Sequence, residues 1–260
     1  MLHKDPRIIA PGTFKLIQEL QAISKLRDFF LVGGTSLALQ LGHRNSIDID
    51  LFTQNEFEAE QIERWLKSKF NLAITRARKN LLLAVVNNIK TDFIRHDYKI
   101  LFPPQTEEGI RFFGLEDITA MKLHAIVQSG KRLKDFINVY FLMEHFSLSQ
   151  MLEFYAAKYP HSNPMIAIKA VNYFDDIDEN IDPPKLLKPL TAYSWQPSNL
   201  QKYLNLKHDK KLSFIFTVYN NHIFIERTRS NRYSALYIPA AVNRQKRLDF
   251  WNYDDPFYCS

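Results

Sequence analysis

Two carboxylates set one residue apart, Asp48-Ile49-Asp50, are the densest chemistry in the chain. They fall in Ser46-Ile47-Asp48-Ile49-Asp50-Leu51-Phe52, which alternates apolar and polar residues up to Leu51. On a strand, that alternation puts Ile47, Ile49 and Leu51 on one face and both aspartates on the other. Alternate strand positions lie about 6 to 7 Å apart, so the pair can share a divalent cation or two close ones. A solvated strand face reads the same way. A third acid, Asp92, sits late in the apolar run Lys90-Thr91-Asp92-Phe93-Ile94. If that strand neighbours the first, the three carboxylates form a cluster. Upstream, Phe29-Phe30-Leu31-Val32 runs into Gly33-Gly34-Thr35-Ser36. Backbone N–H groups at such a helix start, with the Thr35 and Ser36 hydroxyls, can hold phosphate oxygens; an ordinary tight turn is the alternative. Together these features suit an in-line displacement in which two metals activate a hydroxyl and stabilise leaving pyrophosphate.

Around them, Phe14 to Leu26 reads as a helix, Phe29 to Val32 as a buried strand and Thr35 to Leu41 as a short helix. Thr53 and Glu56 suggest a capping box for a helix bearing Phe57, Ile62, Trp65 and Leu66. Leu81 to Val86, Asn87-Asn88 and Ile89 to Ile94 form a hairpin pattern, because Asn tolerates the left-handed turn conformation. After Pro103-Pro104 the pattern turns helical. Glu116-Asp117 open a helix through Val127, acidic at its positive end. The next carries Leu133, Phe136, Ile137, Tyr140 and Phe141 as its apolar face, with Lys131, Lys134, Asp135 and Asn138 opposite; Lys131 and Arg132 read as solvated. Leu148 to Lys158 and Asn163-Pro164 to Phe174 supply two more helices. A second hairpin is expected over Phe214 to Tyr219, Asn220-Asn221 and Ile223 to Arg229.

The chain has 260 residues, with 46% hydrophobic and 24% charged, the balance of a soluble globular protein. No apolar run reaches the roughly 18 to 20 residues of a membrane span. The opening residues lack a secretory apolar core, and a single cysteine, Cys259, excludes a disulfide framework, so a cytoplasmic location is expected. The net charge of +6 is unevenly spread. Residues 1–184 hold 22 Lys and Arg against 23 Asp and Glu; residues 185–260 hold 12 against 5. Glycine is scarce, seven in all, and three of them (Gly33, Gly34, Gly42) fall within ten residues. A Gly-Gly pair in such a chain implies a sharp turn or a close approach.

The block from Phe30 to Phe52 resembles the signature of the AbiEii-type nucleotidyltransferase toxins of the DNA polymerase β-like superfamily: Gly-Gly or Gly-Ser, a spacer of about ten residues, then Asp-x-Asp. Lys90-Thr91-Asp92-Phe93 resembles the strand bearing that family's third carboxylate. Met121-Lys122-Leu123-His124-Ala125 and the stretch from Arg132 to Tyr140 resemble its later helical motifs. The resemblance covers residues 10 to 195. It implies that Gly33, Gly34, Thr35 and Ser36 meet the nucleotide phosphates and that Lys122 meets the triphosphate. Lys134 and Asp135 would line the nucleotide site. Asp48, Asp50 and Asp92 would be catalytic and hold Mg²⁺ in a two-metal site, with Asp92 as base. The family usually has Asp where this chain has Asn138, which weakens any acid role there. His43 and Arg44 match the signature without assigned chemistry; Arg44 could pair with Asp48 or Asp50.

The expected architecture is α+β: a nucleotidyltransferase core with a mixed sheet over 1–104, a helical bundle over 105–184, and a basic extension over 185–260. The expected function is Mg²⁺-dependent transfer of an NMP from an NTP to an acceptor, with RNA such as tRNA implied, in the toxin of a type IV toxin–antitoxin pair with a cognate antitoxin. The alternative is an inactive protein of the same fold that binds RNA or a partner. For the tail, Arg227, Arg229, Arg232, Arg244, Lys246 and Arg247, interleaved with Phe224, Tyr233, Tyr237 and Phe250, suit RNA. A solvated hairpin whose aromatics pack on the bundle, and a cover for an acidic antitoxin or for the chain's own acidic stretch at Asp175 to Asp182, suit the same residues.

Overall fold

A computed structural model describes residues 1–173, 175–178, 181 and 183–188, and the backbone of three strands between 213 and 239. The chain divides into two compact units, Met1–Ser194 and Trp195–Ser260.

The first unit is built on a seven-stranded mixed sheet of order β3-β4-β5-β2-β1-β7-β6. Its central strands are β1 (Phe30–Val32), β2 (Ile49–Thr53) and β5 (Ile89–Arg95). Strands β2 and β5 are parallel, as are β1 and β7 (Ile110–Phe112); the other pairings are antiparallel. One sheet face carries Leu31, Ile49, Leu51, Leu82, Ala84, Val86 and Phe93, all at most 1% exposed. They share a core with α1 (Pro11–Gln21) and α3 (Ala59–Lys67). Apolar residues at alternate strand positions make that face, and the intervening positions carry the polar side chains of the other.

The β4–β5 hairpin (β4, Leu81–Val86) turns through Asn87 and Asn88 at φ 50° and 65°, the doubly left-handed turn that suits the twist of paired strands. Helix α2 (Gly33–Leu41) ends at Gly42, which at φ 64° donates its N–H to the Ala38 carbonyl. Helices α4 (Leu115–Gln128), α5 (Leu133–Leu142), α6 (Leu148–Lys158) and α7 (Pro164–Val171) follow. Ser147 and Gln150 close a reciprocal capping box at α6, and Asn163 caps α7 ahead of Pro164.

Several expectations need correction. The first helix stops at Gln21, and Ser24–Leu26 forms a separate 3₁₀ turn. Ile47 is 57% exposed, because β2 begins only at Ile49 and the alternation takes effect with the sheet hydrogen bonds. Thr53 does not cap α3: its hydroxyl accepts the Asn55 N–H, Glu56 pairs with Lys79 and Arg95, and the helix starts after Glu58 without a side-chain cap. The chain does not turn helical directly after Pro104, since β6 (Gln105–Glu107) and β7 form a hairpin at the sheet edge. Strand β3 (Leu72–Arg78), at the other edge, was not expected at all. Lys131 and Arg132 are exposed, as expected, whereas Lys134 (7% exposed), Asp135 (3%) and Asn138 (0%) on α5 are buried.

The second unit contains an antiparallel sheet of order β10-β9-β8: β8 (Ser213–Tyr219), β9 (His222–Arg229) and β10 (Arg232–Pro239). The expected hairpin is β8–β9, and β10 is an addition. The side chains proposed to meet RNA lie outside what is described. No described helix is long and apolar enough to cross a membrane.

Candidate active site

Asp50 and Asp92 are direct neighbours across the parallel β2–β5 ladder. Paired positions present their side chains on the same face, so the two carboxylates stand side by side, opposite the apolar core. Asp48 lies just before β2. Its carbonyl accepts a hydrogen bond from the Thr35 hydroxyl, which also bonds Ser46 Oγ at 2.8 Å. Thr35 thereby ties the start of α2 to the loop that delivers Asp48.

Close approach accounts for both glycines. Gly33 sits at φ 69°, and a methyl group there would collide with the Asp50 carboxyl. At Gly34 a methyl group would collide with the Arg44 guanidinium. The helix start has no side-chain cap, leaving its first-turn N–H groups beside the carboxylates. The Ser36 hydroxyl accepts from Gln40 Nε2 at 3.0 Å. The Thr35 hydroxyl is thus spent within the protein, whereas the Ser36 hydroxyl accepts and keeps its own O–H, so that O–H and the backbone N–H groups are the donors this turn can offer a phosphate.

The electrostatics mark Asp50. Desolvation of its carboxyl pushes its pKa up to about 6; Lys122 works against the rise, and Asp92 and Asp48 add to it. Asp92 is also raised, by burial first and by Asp48, against the pull of Lys90. Lys90, two residues earlier on the same strand face, lies 3.2 Å from Asp92 Oδ2. The other oxygen, Asp92 Oδ1, is buried and has no hydrogen-bond partner among the described residues.

Lys122 on α4 joins this face to the helical half. Its Nζ donates to Asp135 Oδ1 at 2.8 Å. Burial would raise Asp135, but the charge and hydrogen bond of Lys122, with Arg132 and Arg44, hold its carboxyl below the usual range. Lys134, beside Asp135 on α5, is also buried.

Arg44 is only 2% exposed. Its Nε donates to Asn138 Oδ1 at 2.9 Å and its Nη1 to the Asn45 carbonyl at 2.6 Å. His43 Nε2 lies 3.0 Å from the same Asn138 oxygen, and burial holds this imidazole neutral, its pKa pushed down to about 3. Nε2 therefore donates. One amide oxygen serves two donors, while Asn138 Nδ2 has no partner among the described residues. The 185–188 segment straps over this hub: Leu187 N–H donates to the His43 carbonyl at 2.9 Å and Asn45 N–H to the Lys185 carbonyl at 2.9 Å.

The structure therefore brings together Gly33, Gly34, Asp48, Asp50, Asp92, Lys122 and Asp135. Sequence reasoning gave no role to Lys90, although its i, i+2 spacing from Asp92 on one strand face was readable. Among the described residues no three His, Cys, Asp or Glu side chains are gathered as a metal-ligating group. Two adjacent carboxylates with an unpartnered buried oxygen still fit a hard divalent cation of the kind held by one or two carboxylates, water and substrate phosphate.

Comparisons with known proteins identify relatives of the chain. Residues 15–106 match the model of the family described as nucleotidyl transferase AbiEii toxin, type IV TA system. The uncharacterized protein aq_aa25 of Aquifex aeolicus (strain VF5) is 30% identical over 171 residues, 64% of this chain and 82% of that protein. Among solved structures, the antibiotic-resistance factor ANT(2'')-Ia aligns with TM-score 0.42 and 17% identity over 56% of this chain and 90% of its own. The Megavirus polyadenylate synthase aligns with TM-score 0.38 and 14% identity over 53% of this chain, which spans only 33% of that protein. The matched segment takes in both glycines and all three carboxylates, and the Aquifex likeness extends over most of that relative: the chain belongs to the AbiEii nucleotidyl transferase family and is a nucleotidyltransferase.

Proposed function

We propose that the chain transfers an NMP from an NTP to a hydroxyl of RNA, with tRNA as a candidate acceptor, in the cytoplasm and as the toxin of a type IV toxin–antitoxin pair. The observation that carries the reaction class is the adjacency of Asp50 and Asp92 beside an uncapped, glycine-rich helix start.

Each group then has a task. The first-turn N–H groups after Gly33 receive phosphate oxygens at the positive end of α2. Lys122 places an ammonium charge near Asp50 and beside the triphosphate, held there by Asp135. Asp50 and Asp92 would hold Mg²⁺, with Asp48 joining them once the ion draws the three carboxylates together; the ion would supply neutralisation of phosphate charge and lower the pKa of a bound hydroxyl. Asp92, its carboxyl raised by burial and its Oδ1 without a partner among the described residues, would take the acceptor proton as base. The acceptor oxygen forms a bond to the α-phosphorus, the bond to the bridging oxygen breaks, and pyrophosphate leaves.

The alternative, a binding protein without activity, rests on Asn138 and on the basic tail, whose side chains lie outside the described residues. In the structure the Asn138 side chain orients His43 and Arg44 through its oxygen, a task that does not require an acid.

Incubation with each α-labelled NTP, Mg²⁺ and total RNA tests the reading. Label should enter RNA with the wild-type chain and fall about 100-fold or more with Asp92→Asn. Absence of label in any RNA would overturn the acceptor, and undiminished labelling by Asp92→Asn would overturn the base.

A further inference from the structure

The registers of four strands line up in a way the catalytic reading leaves unused. Asp50 pairs with Asp92, Asp92 with Leu83, and Leu83 with Arg76. One rung along, Phe52 pairs with Ile94, Ile94 with Leu81, and Leu81 with Arg78. Side chains at paired positions share a face. Arg76 and Arg78 therefore project from the same sheet face as the carboxylates. They stand two strands out from Asp92, about 10 Å away.

This part of the face is open. Leu81, Leu83 and Val85 are half-buried, whereas Leu82, Ala84 and Val86 on the reverse are fully buried against the core that includes α3. Both arginines are exposed, and neither has an ion-pair or hydrogen-bond partner among the described residues. Nearby Arg95 and Lys79 are paired with carboxylates. The face thus reads outward from the reacting centre as acid, aliphatic, then unneutralised guanidinium.

Resting on the transfer reaction proposed above, we infer that this face of β3–β4 is the track of the acceptor: a single-stranded polynucleotide whose phosphates lie on Arg76 and Arg78. Its riboses and bases cover Leu81, Leu83 and Val85, and its terminal hydroxyl reaches Asp92. Successive same-face arginines are about 6 to 7 Å apart, a spacing suited to consecutive phosphates of an extended strand. Guanidinium groups bind phosphate oxygens in pairs, and the aliphatic strip gives the sugar–base faces an apolar floor. An acidic protein would use the arginines but has no need of a path that ends at the base.

The test measures binding apart from catalysis. A labelled single-stranded 20-mer RNA is titrated with the full chain, without NTP, by fluorescence anisotropy over a salt series. Arg76→Glu with Arg78→Glu should weaken binding about ten-fold or more at low salt, and lower the salt slope by about 1.4, the share of two phosphate contacts on a single strand. Arg76→Lys with Arg78→Lys, which keeps both charges but loses the paired donors, should weaken binding less than the reversal and leave the salt slope near wild type. Arg64→Glu with Lys69→Glu, a control pair from the α3 side of the sheet, should change little. Unchanged affinity and slope in the Arg76/Arg78 reversal, an equal loss in the control pair, or equal competition by polyglutamate would overturn the assignment. The two readings fail separately. A wild-type chain that binds RNA through these arginines yet labels nothing defeats the reaction and keeps the track. A wild-type chain that labels RNA, with an acceptor KM unmoved by the reversal, defeats the track alone.

Discussion

Helix α4 contributes to two buried lysine–aspartate pairs that differ in how completely they are satisfied. Lys158 and Asp117 meet at 2.7 Å with both side chains fully buried. Asp117 also accepts the N–H groups of Leu101 and Phe102, and Lys158 donates to the Lys99 carbonyl. Each charge is held on several sides by fixed protein groups. Lys122 and Asp135 meet at 2.8 Å with side chains 10% and 5% exposed. There the lysine donates to Asp135 alone among the described residues, its field reaches Asp50, and Asp135 also feels Arg132 and Arg44. A saturated pair clamps the fold together, while an unsaturated one keeps charge in reserve for a ligand.

The comparison can be broken most severely at the clamp. Lys158→Met should cost about 3 to 5 kcal/mol, because Asp117 is left as an uncompensated buried charge; urea denaturation checks this. Lys122→Met should cost less stability, since Asp135 keeps Arg132 and Arg44. It should nevertheless lower NMP transfer about 100-fold, as loss of a preorganised charge at a developing anion does. If Lys122→Met unfolds the chain as readily as Lys158→Met while transfer per folded molecule persists, the two pairs are the same kind of object.

A smaller effect is expected at the hub. Asn138→Ala strands the Arg44 Nε and His43 Nε2 donors and should cost about 1 to 3 kcal/mol. The measurement is the shift in urea midpoint. No shift would mean that the hub carries no load.

The smallest effect is in pH. His43 takes up a proton near 6.5 when unfolded but only near 3 when folded. Its stabilising share is complete above about pH 6.5 and is lost as pH falls, by at most about 1.4 kcal/mol per unit. Asp50 acts in the opposite sense. Its folded pKa of about 6 exceeds its unfolded value of 3.8, so folding becomes less favourable as pH rises through that window. Urea midpoints of wild type and His43→Gln between pH 7 and 5 should converge as pH falls; a constant gap would contradict the neutral, buried imidazole.

The strongest local patterns were legible in sequence. The Asn87-Asn88 turn, the alternation from Ile49 and the bounds of α6 all follow from short-range stereochemistry. Strand β3 was not legible, because an edge strand with both faces toward water gives up the alternation that marks a half-buried one: Ala73 to Arg78 are exposed throughout. The three-residue strands β6 and β7 are too short to show a period. Lys131 and Arg132 are solvated as their types suggest, but the burial of Asp135 and Asn138 in α5 was not legible, since their partners Lys122, His43 and Arg44 come from other elements. The Gly-Gly pair was readable as a close approach, but what approaches, a carboxyl at Gly33 and a guanidinium at Gly34, needed the fold.

Asp50 is held in a setting that is unfavourable for stability and useful for chemistry, and one variant separates the two. Asp50→Asn, assayed at neutral pH for transfer of label from α-labelled NTP to RNA and for thermal unfolding, should lose transfer while melting no lower than wild type, because a desolvated carboxylate crowded by Asp92 and Asp48 has been removed. Wild-type labelling by Asp50→Asn would contradict the account.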